Sequence, residues 1–162
     1  MMNNDIRFGN GIDVHQFAGD RPLILGGVTI PFNKGLKGHS DADVVIHSII
    51  DALLGAAALD DIGTHFPDTD PQYKDIRSTD LLAKTLLLIT NHGFRIGNID
   101  ITIVAQKPRL RPYIPQMRKT LSSVLSIPID SLSIKATTTE NMGFIGRAEG
   151  ILTLTTASIR RL

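Results

Sequence analysis

Apolar and polar positions along the chain divide it into strands and helices of ordinary length. Residues 7–17, RFGNGIDVHQF, set apolar and β-branched side chains around a Gly-rich turn and predict a first strand ending near His15. Residues 22–32, PLILGGVTIPF, hold two short β-rich runs about Gly26 and Gly27, the pattern of a hairpin. Ser40 is the predicted N-cap of a helix from Val44 to Leu59, with Asp43 three residues later as a short-armed capping-box acid. Residues 63–74, GTHFPDTDPQYK, are polar, punctuated by proline, and read as a loop. A second helix is predicted from Ser78 to Asn91, with Asp80 in its first turn and Gly93 just past its end. GNIDITIVAQ, residues 97–106, reads as a strand, and PYIPQMRKTLSSVLS, residues 112–126, as a third helix with both prolines in its first turn. SLSIKATTTE (131–140) and EGILTLTTASIRR (149–161) complete the strands. The order is not a strict βαβ repeat. It predicts an α+β fold: a single domain over residues 1–162, a mixed β-sheet with helices packed on one face.

Composition narrows the function classes. A chain of 162 residues can bury about 68–70% of its extended surface, so its core needs no covalent staples. The absence of cysteine removes disulfides, thiolate zinc sites and cysteine nucleophiles together, and suits a reducing compartment. With 17 basic and 16 acidic side chains there is no overall basic field, so no nucleic-acid partner is expected. An anionic ligand would have to be held by local groups. The segment MMNNDIRF carries no apolar core of signal-peptide length, and no run reaches the ~18 apolar residues of a membrane span. The expectation is a cytoplasmic protein with no membrane partner.

Several segments carry chemistry. Asp13 and His15 lie two apart on a predicted strand, so their side chains share a face, and both are normal zinc ligands. A hydrogen-bonded Asp–His pair at a strand end is the plainer explanation of those two alone. The helix opening adds His39, and a stripe of Asp43, His47 and Asp51 at four-residue spacing. With Asp13 and His15, either His47 or His39 would complete a three-ligand site with one open position, the arrangement of catalytic zinc. Spacing leaves the two interchangeable. The N–H groups after Ser40 offer an anion site beside it. DDIGTHFPDTD places Asp60, Asp61, Asp68 and Asp70 on one loop, able to accept sugar hydroxyls or simply to be solvated. KATTTENMGFIGR sets three threonines and Glu140 at a strand end, and AQKPRLRP adds Lys107, Arg109 and Arg111 as a small basic patch that could meet a phosphate.

Taken in order, GIDVHQF, GHSDADVVIHSIIDALLGAAAL, DIGTHFPDTDP, NIDITIVAQKPRLRPYIPQM and IKATTTENMGFIGRAEGI closely resemble the 2-C-methyl-D-erythritol 2,4-cyclodiphosphate synthases of the non-mevalonate isoprenoid pathway. The resemblance runs from about Arg7 to Ala157. It implies an enzyme, a phosphorus–oxygen lyase, that turns 4-diphosphocytidyl-2-C-methyl-D-erythritol 2-phosphate into a cyclic diphosphate and CMP. It also implies a homotrimer with active sites between subunits, and the length of 162 residues argues against the form fused to a cytidylyltransferase domain. Asp13, His15 and His47 are implied as ligands of one Zn2+ per subunit, and Glu140 as a contact to a second ion, Mg2+ or Mn2+. His39 and Thr138 match transition-state stabilisers. The implied substrate contacts are Asp13, Val14, His15, His39 and Ser40, then Asp61, Ile62, Gly63, Phe66, Pro67, Asp68, Thr69 and Asp70. Ala105, Gln106, Lys107, Pro108, Arg109, Leu110 and Arg111 would form the cytidine diphosphate pocket with Thr137, Thr138, Thr139 and Glu140. Phe144 and Arg147 match late substrate-lining and trimer-axis positions. The chain departs from the pattern at Gly38, where Ala is usual, at Asp60, where Gly is common, at Arg109 for Lys and at Arg111 for an apolar residue. Two other functions fit parts of the pattern: a zinc phosphohydrolase, which would give a linear product, and a non-enzymatic trimeric nucleotide-binding module, which would release no CMP.

Overall fold

The computed structural model describes residues 5–19 and 21–162. Residues 1–4, half of the segment considered above for a leader, and residue 20 lie outside it. Two long strands form the centre: β1 (Ile6–Ala18), and β7 (Gly150–Arg161) antiparallel to it from Ile6↔Arg160 to Gln16↔Gly150. Strand β5 (Phe94–Val104) pairs antiparallel with the other edge of β7, and β6 (Leu132–Thr137) lies parallel to β5. A two-residue strand, β4 (Gly35–Leu36), closes the opposite edge, giving the order β4-β1-β7-β5-β6. The predicted hairpin is present as a separate ribbon, β2 (Leu23–Leu25) and β3 (Val28–Ile30), turning on Gly26 and Gly27. The parallel pair needs a crossover, supplied by α4 (Ile114–Leu125) after a single 3₁₀ turn over Arg111–Tyr113.

The helix α1 (Val44–Ala57) is buried along most of its length, apart from the polar stripe of His47 and Asp51, and lies between the β1–β7 sheet and α3 (Ser78–Asn91). Val44, Val45, Ile46, Ile49, Ile50, Leu53 and Leu54 have no exposed surface. Burying each large aliphatic side chain of this kind contributes roughly 1.5–3 kcal/mol. The Gly-rich stretch of β1 is not a turn. Gly9 and Gly11 sit within a continuous strand, where α1 crosses so closely that a Cβ on Gly11 would fall 2.0 Å from the Ser48 carbonyl oxygen. Glycine is there for contact with another backbone. Beside that crossing, the Ser48 hydroxyl bonds Thr155 Oγ1 across to β7 at 2.7 Å.

The helix cap also differs from expectation. Asp43, not Ser40, caps α1, accepting the N–H groups of Val45 and Ile46 at 3.1 Å each. Ala42 adopts a left-handed conformation (φ 59°), so the chain turns once more before helix begins and Ser40 instead accepts the Ala42 N–H. The fully buried Asp43 carboxylate also accepts the N–H groups of Gly26 and Gly27, fastening the hairpin turn to the helix start. The polar loop of the sequence folds locally: Asp61 caps a single turn, α2 (Ile62–His65), and Asp70 caps a 3₁₀ turn over Pro71–Tyr73. A second short helix, α5 (Gly143–Gly146), precedes β7. Among the described residues no helix is long and apolar enough to cross a membrane.

Candidate metal and substrate site

Asp13 and His15 project from β1 toward α1, and His47 reaches them from the first turns of that helix. His15 donates Nδ1–H to the Lys37 carbonyl at 2.6 Å, which leaves Nε2 as the free nitrogen facing inward. That nitrogen is 2.9 Å from Asp13 Oδ2 and 3.2 Å from His47 Nδ1, and His47 Nδ1 is 3.1 Å from the same Asp13 oxygen. Ligands about 2.0–2.1 Å from a tetrahedral zinc stand about 3.3 Å apart, so the donor set fits such an ion with little movement. The structure therefore brings His47, and not His39, to Asp13 and His15.

The three groups perturb one another. Burial alone would push the Asp13 carboxyl up, but the hydrogen bond from His15 and the close approach of His47 hold it well below the usual carboxylate range. Burial would lower His15, and the hydrogen bond and charge of Asp13 outweigh it, holding the imidazole above its ordinary value. Asp51, the third member of the predicted acid–His stripe, does not join the cluster. It accepts the Ile62 N–H at 2.8 Å and so anchors the start of α2, while burial raises its carboxyl.

The triad opens into a cleft of about 440 Å³. His15, His39, Ser40, His47, Ile62, Gly63, Phe66, Pro67 and Asp68, all candidate site residues of the sequence, line it together with Gly38, Tyr73 and Leu81, which were not among the candidates. The Arg21 guanidinium holds the backbone of this rim, donating to the carbonyls of Gly38 (2.8 Å) and Ser40 (2.5 Å). Asp61 is exposed and Asp70 half-buried, both engaged in their local caps, and Thr69 is exposed.

A separate hollow of about 340 Å³ collects Ala105, Gln106, Pro108, Arg109, Leu110, Arg111, Thr137 and Thr138, with Ala136. Lys107 is exposed beside it, and the Lys107–Pro108 peptide is cis. The loop after β6 is tied to this wall where Gln106 Oε1 accepts the Asn141 N–H. Glu140 is exposed, accepts the Thr138 hydroxyl at 2.8 Å, and has left-handed backbone (φ 52°). Thr139 bonds the Met142 carbonyl. Val14 and Phe144 border a third hollow of about 230 Å³, and Arg147 pairs with Glu149 at 2.6 Å on the surface. Within one chain, then, the triad and the 105–111 loop face different cavities.

The signature of the YgbB family matches residues 6–160. The chain is 57% identical over 145 residues to the 2-C-methyl-D-erythritol 2,4-cyclodiphosphate synthase of Bacillus cytotoxicus, covering 90% of this chain and 92% of the relative. A Bacillus cereus synthase of the same name is 58% identical over the same span. Among solved structures, the bifunctional IspDF of Campylobacter jejuni superposes with a TM-score of 0.95 at 43% identity, over 99% of this chain. The chain spans only 43% of that longer protein. A Plasmodium falciparum IspF in complex with CDP superposes with a TM-score of 0.85 at 36% identity, covering 98% of this chain and 97% of that one.

Proposed function

Because the chain belongs to the YgbB family, the 2-C-methyl-D-erythritol 2,4-cyclodiphosphate synthases, lyases of the cyclodiphosphate-forming step of isoprenoid synthesis, we propose how its own residues carry that step out. The substrate is 4-diphosphocytidyl-2-C-methyl-D-erythritol 2-phosphate. Its 2-phosphate attacks the β-phosphorus, the bond to CMP breaks, and the products are 2-C-methyl-D-erythritol 2,4-cyclodiphosphate and CMP. The attacking phosphate is anionic at neutral pH, with a second pKa of about 6 by analogy with phosphorylated side chains, so no general base is needed. CMP leaves as a phosphate and needs little protonation. What remains is to bring two repelling phosphates into line. Holding both ends of one molecule in such a pose supplies a share of the ~7–11 kcal/mol available to ideal intramolecular reactions.

Asp13, His15 and His47 would hold Zn2+, which when bound supplies Lewis-acid charge and a template for the phosphates. His39 and Ser40, on the rim that Arg21 fixes, would contact phosphate and the methylerythritol unit, with Ile62, Gly63, Phe66, Pro67 and Asp68 as the opposite wall. The hollow around Ala105, Arg109 and Thr138 would take the cytidine diphosphate, which the CDP bound to the Plasmodium falciparum relative supports. Exposed Glu140, whose carboxylate accepts the Thr138 hydroxyl, would hold the Mg2+ or Mn2+ ion, which when bound supplies positive charge for the substrate phosphates. The triad cleft and the nucleotide hollow are separate in one chain, and this favours a homotrimer in which one subunit's triad faces its neighbour's hollow. A cytoplasmic location accords with a chain free of cysteine.

The observation that carries the proposal is the convergence of three ligand atoms, each within 3.2 Å of the others, two of them on residues that line the cleft. Phosphorus NMR of the cytidine substrate incubated with the protein, Zn2+ and Mg2+ tests it. Cyclic diphosphate and CMP should appear in equal amounts; a linear phosphate product would make the chain a hydrolase and overturn the assignment.

A further inference from the structure

His47 is held by a chain of hydrogen bonds that leaves the cleft and ends on the start of α3. Its outer nitrogen, Nε2, lies 3.1 Å from Ser78 Oγ and 3.1 Å from Ser40 Oγ. Ser78 is the first residue of α3, is fully buried, and binds Asp41 twice: its N–H donates to Oδ2 at 3.1 Å and its hydroxyl donates to Oδ1. Asp41 thus caps α3 from another part of the chain, since Arg77 offers that helix no side-chain cap.

The direction of each bond follows from chemistry. An ionised carboxylate only accepts, so the single Ser78 hydroxyl proton goes to Asp41. Ser78 Oγ then has only lone pairs to offer His47, and Nε2 must bring the hydrogen. Ser40 Oγ, which already accepts the Ala42 N–H, can share that donor while its own proton points elsewhere. A neutral imidazole with hydrogen on Nε2 has its lone pair on Nδ1. Nδ1 is the atom that faces Asp13 and His15, and its lone pair can share the Nε2–H that the charged His15 directs at Asp13. We infer that Asp41 and Ser78 are positioning residues that fix the tautomer and ring orientation of His47, and so make it able to ligate a metal. The inference rests on the triad being the metal site proposed above.

Two sets of variants and two readouts test it. Ser78→Ala removes the acceptor at the buried position, and Ser78→Thr restores a hydroxyl. Asp41→Asn keeps size and shape, but its amide can donate to Ser78 Oγ, freeing the Ser78 hydroxyl to donate to Nε2 and moving the hydrogen of His47 to Nδ1. Zinc affinity is read by competition with a chromophoric chelator. The tautomer is read from the ring nitrogen-15 shifts of His47 in the metal-free protein, where no metal is involved. Removing such an outer partner typically weakens a metal site about 10–100-fold, the loss expected for Ser78→Ala and Asp41→Asn, with Ser78→Thr recovering most of it. Asp41→Asn should in addition show hydrogen on Nδ1. The inference is overturned if both variants bind zinc within about 3-fold of the parent, short of the 10-fold floor of such effects, or if Asp41→Asn keeps the hydrogen on Nε2. Should Asp41→Asn loosen α3, the Ser78→Ala and Ser78→Thr pair decides by itself. Failure of the parent protein to bind zinc would instead overturn the metal reading, and the metal-free tautomer would still report on the relay.

Discussion

The proton held between His15 and Asp13 competes with any metal for the same atoms. In the metal-free protein the charged pair is favoured on both sides: Asp13 is held well below the usual carboxylate range and His15 above its ordinary 6.5. The sign of the linkage follows. The raised His15 contributes stability that is fully present below about 6.5 and is lost as pH rises through its folded value. The depressed Asp13 contributes stability present above about 3.8, lost only as pH falls through its much lower folded value. Metal binding requires the neutral imidazole and must release the His15 proton. Zinc affinity should therefore rise about tenfold per pH unit up to the folded value of His15 and level off above it, with about one proton released per ion below that point. Calorimetry in buffers of different ionisation enthalpy counts the protons; none released at pH 6 would refute the pairing. At this scale the sequence was partly readable. Asp13-x-His15 showed by alternation alone that two ligands share a face. The third ligand did not, because His39 and His47 both lie near a helix start, and only the extra turn at Ala42 decides which one points inward. That turn also misled the cap assignment. Ser78 was invisible as a partner, since a serine opening a helix 31 residues after His47 reads as an ordinary terminus.

Helix α1 carries His47, so whatever sets its distance from β1 also sets the geometry of the triad. The distance is fixed by Gly9 and Gly11, against which the Ser48 and Ala52 carbonyls lie. A methyl at position 11 would sit 2.0 Å from the Ser48 oxygen and 2.8 Å from the Ala52 nitrogen, both backbone atoms that cannot rotate away. Gly11→Ala should cost at least the ~1–3 kcal/mol of an overpacked core and shift His47 away from Asp13. Gly55, in the same helix, is exposed, and a methyl added there would meet nothing within 4 Å. Gly55→Ala should stabilise by about 0.5–1 kcal/mol, the helix-propensity difference. Urea melts at one fixed protein concentration, with zinc stoichiometry, compare the two; a harmless Gly11→Ala would mean that the strand–helix contact is not what positions α1. The long periodic elements were the legible ones: α3 matches its predicted span from Ser78 to Asn91, and the Gly26–Gly27 hairpin turns where two glycines stand between β-rich runs. The glycines of β1 have the sequence pattern of a turn, because their reason for being there is a helix about 40 residues away in sequence. The two-residue β4 and one-turn α2 are too short to leave any period.

One face of the sheet is covered by helices; on the other, Phe8 (71% exposed), Ile12 (63%), Val14 (45%) and Leu154 (40%) face outward, Ile12 and Leu154 directly across the β1–β7 ladder. Ile12, Val14 and Leu154 form one exposed apolar patch, with Phe8 set apart beyond Asn10 and Thr156, and such a patch is a candidate surface for another chain. The sequence hid the patch, because strand alternation places apolar residues on both faces and only the position of α1 tells inside from outside. If this face builds the proposed homotrimer, each active site takes its triad from one subunit and its nucleotide hollow from the next. Complementation then distinguishes shared sites from self-contained ones. His47→Ala breaks the triad and Thr138→Ala breaks the hollow, and each variant alone should be inactive. Dissociated, mixed in equal amounts and reassembled, the two should recover activity, since random cyclic assembly leaves about one interface in four with both halves intact. Sites contained within one subunit would recover nothing, because every chain in the mixture carries one lesion. Ile12→Glu, which places a charge within the apolar patch, should abolish both trimer formation in sedimentation and the recovery on mixing. It should leave zinc binding by the isolated chain in place, because the triad draws all its ligands from one subunit.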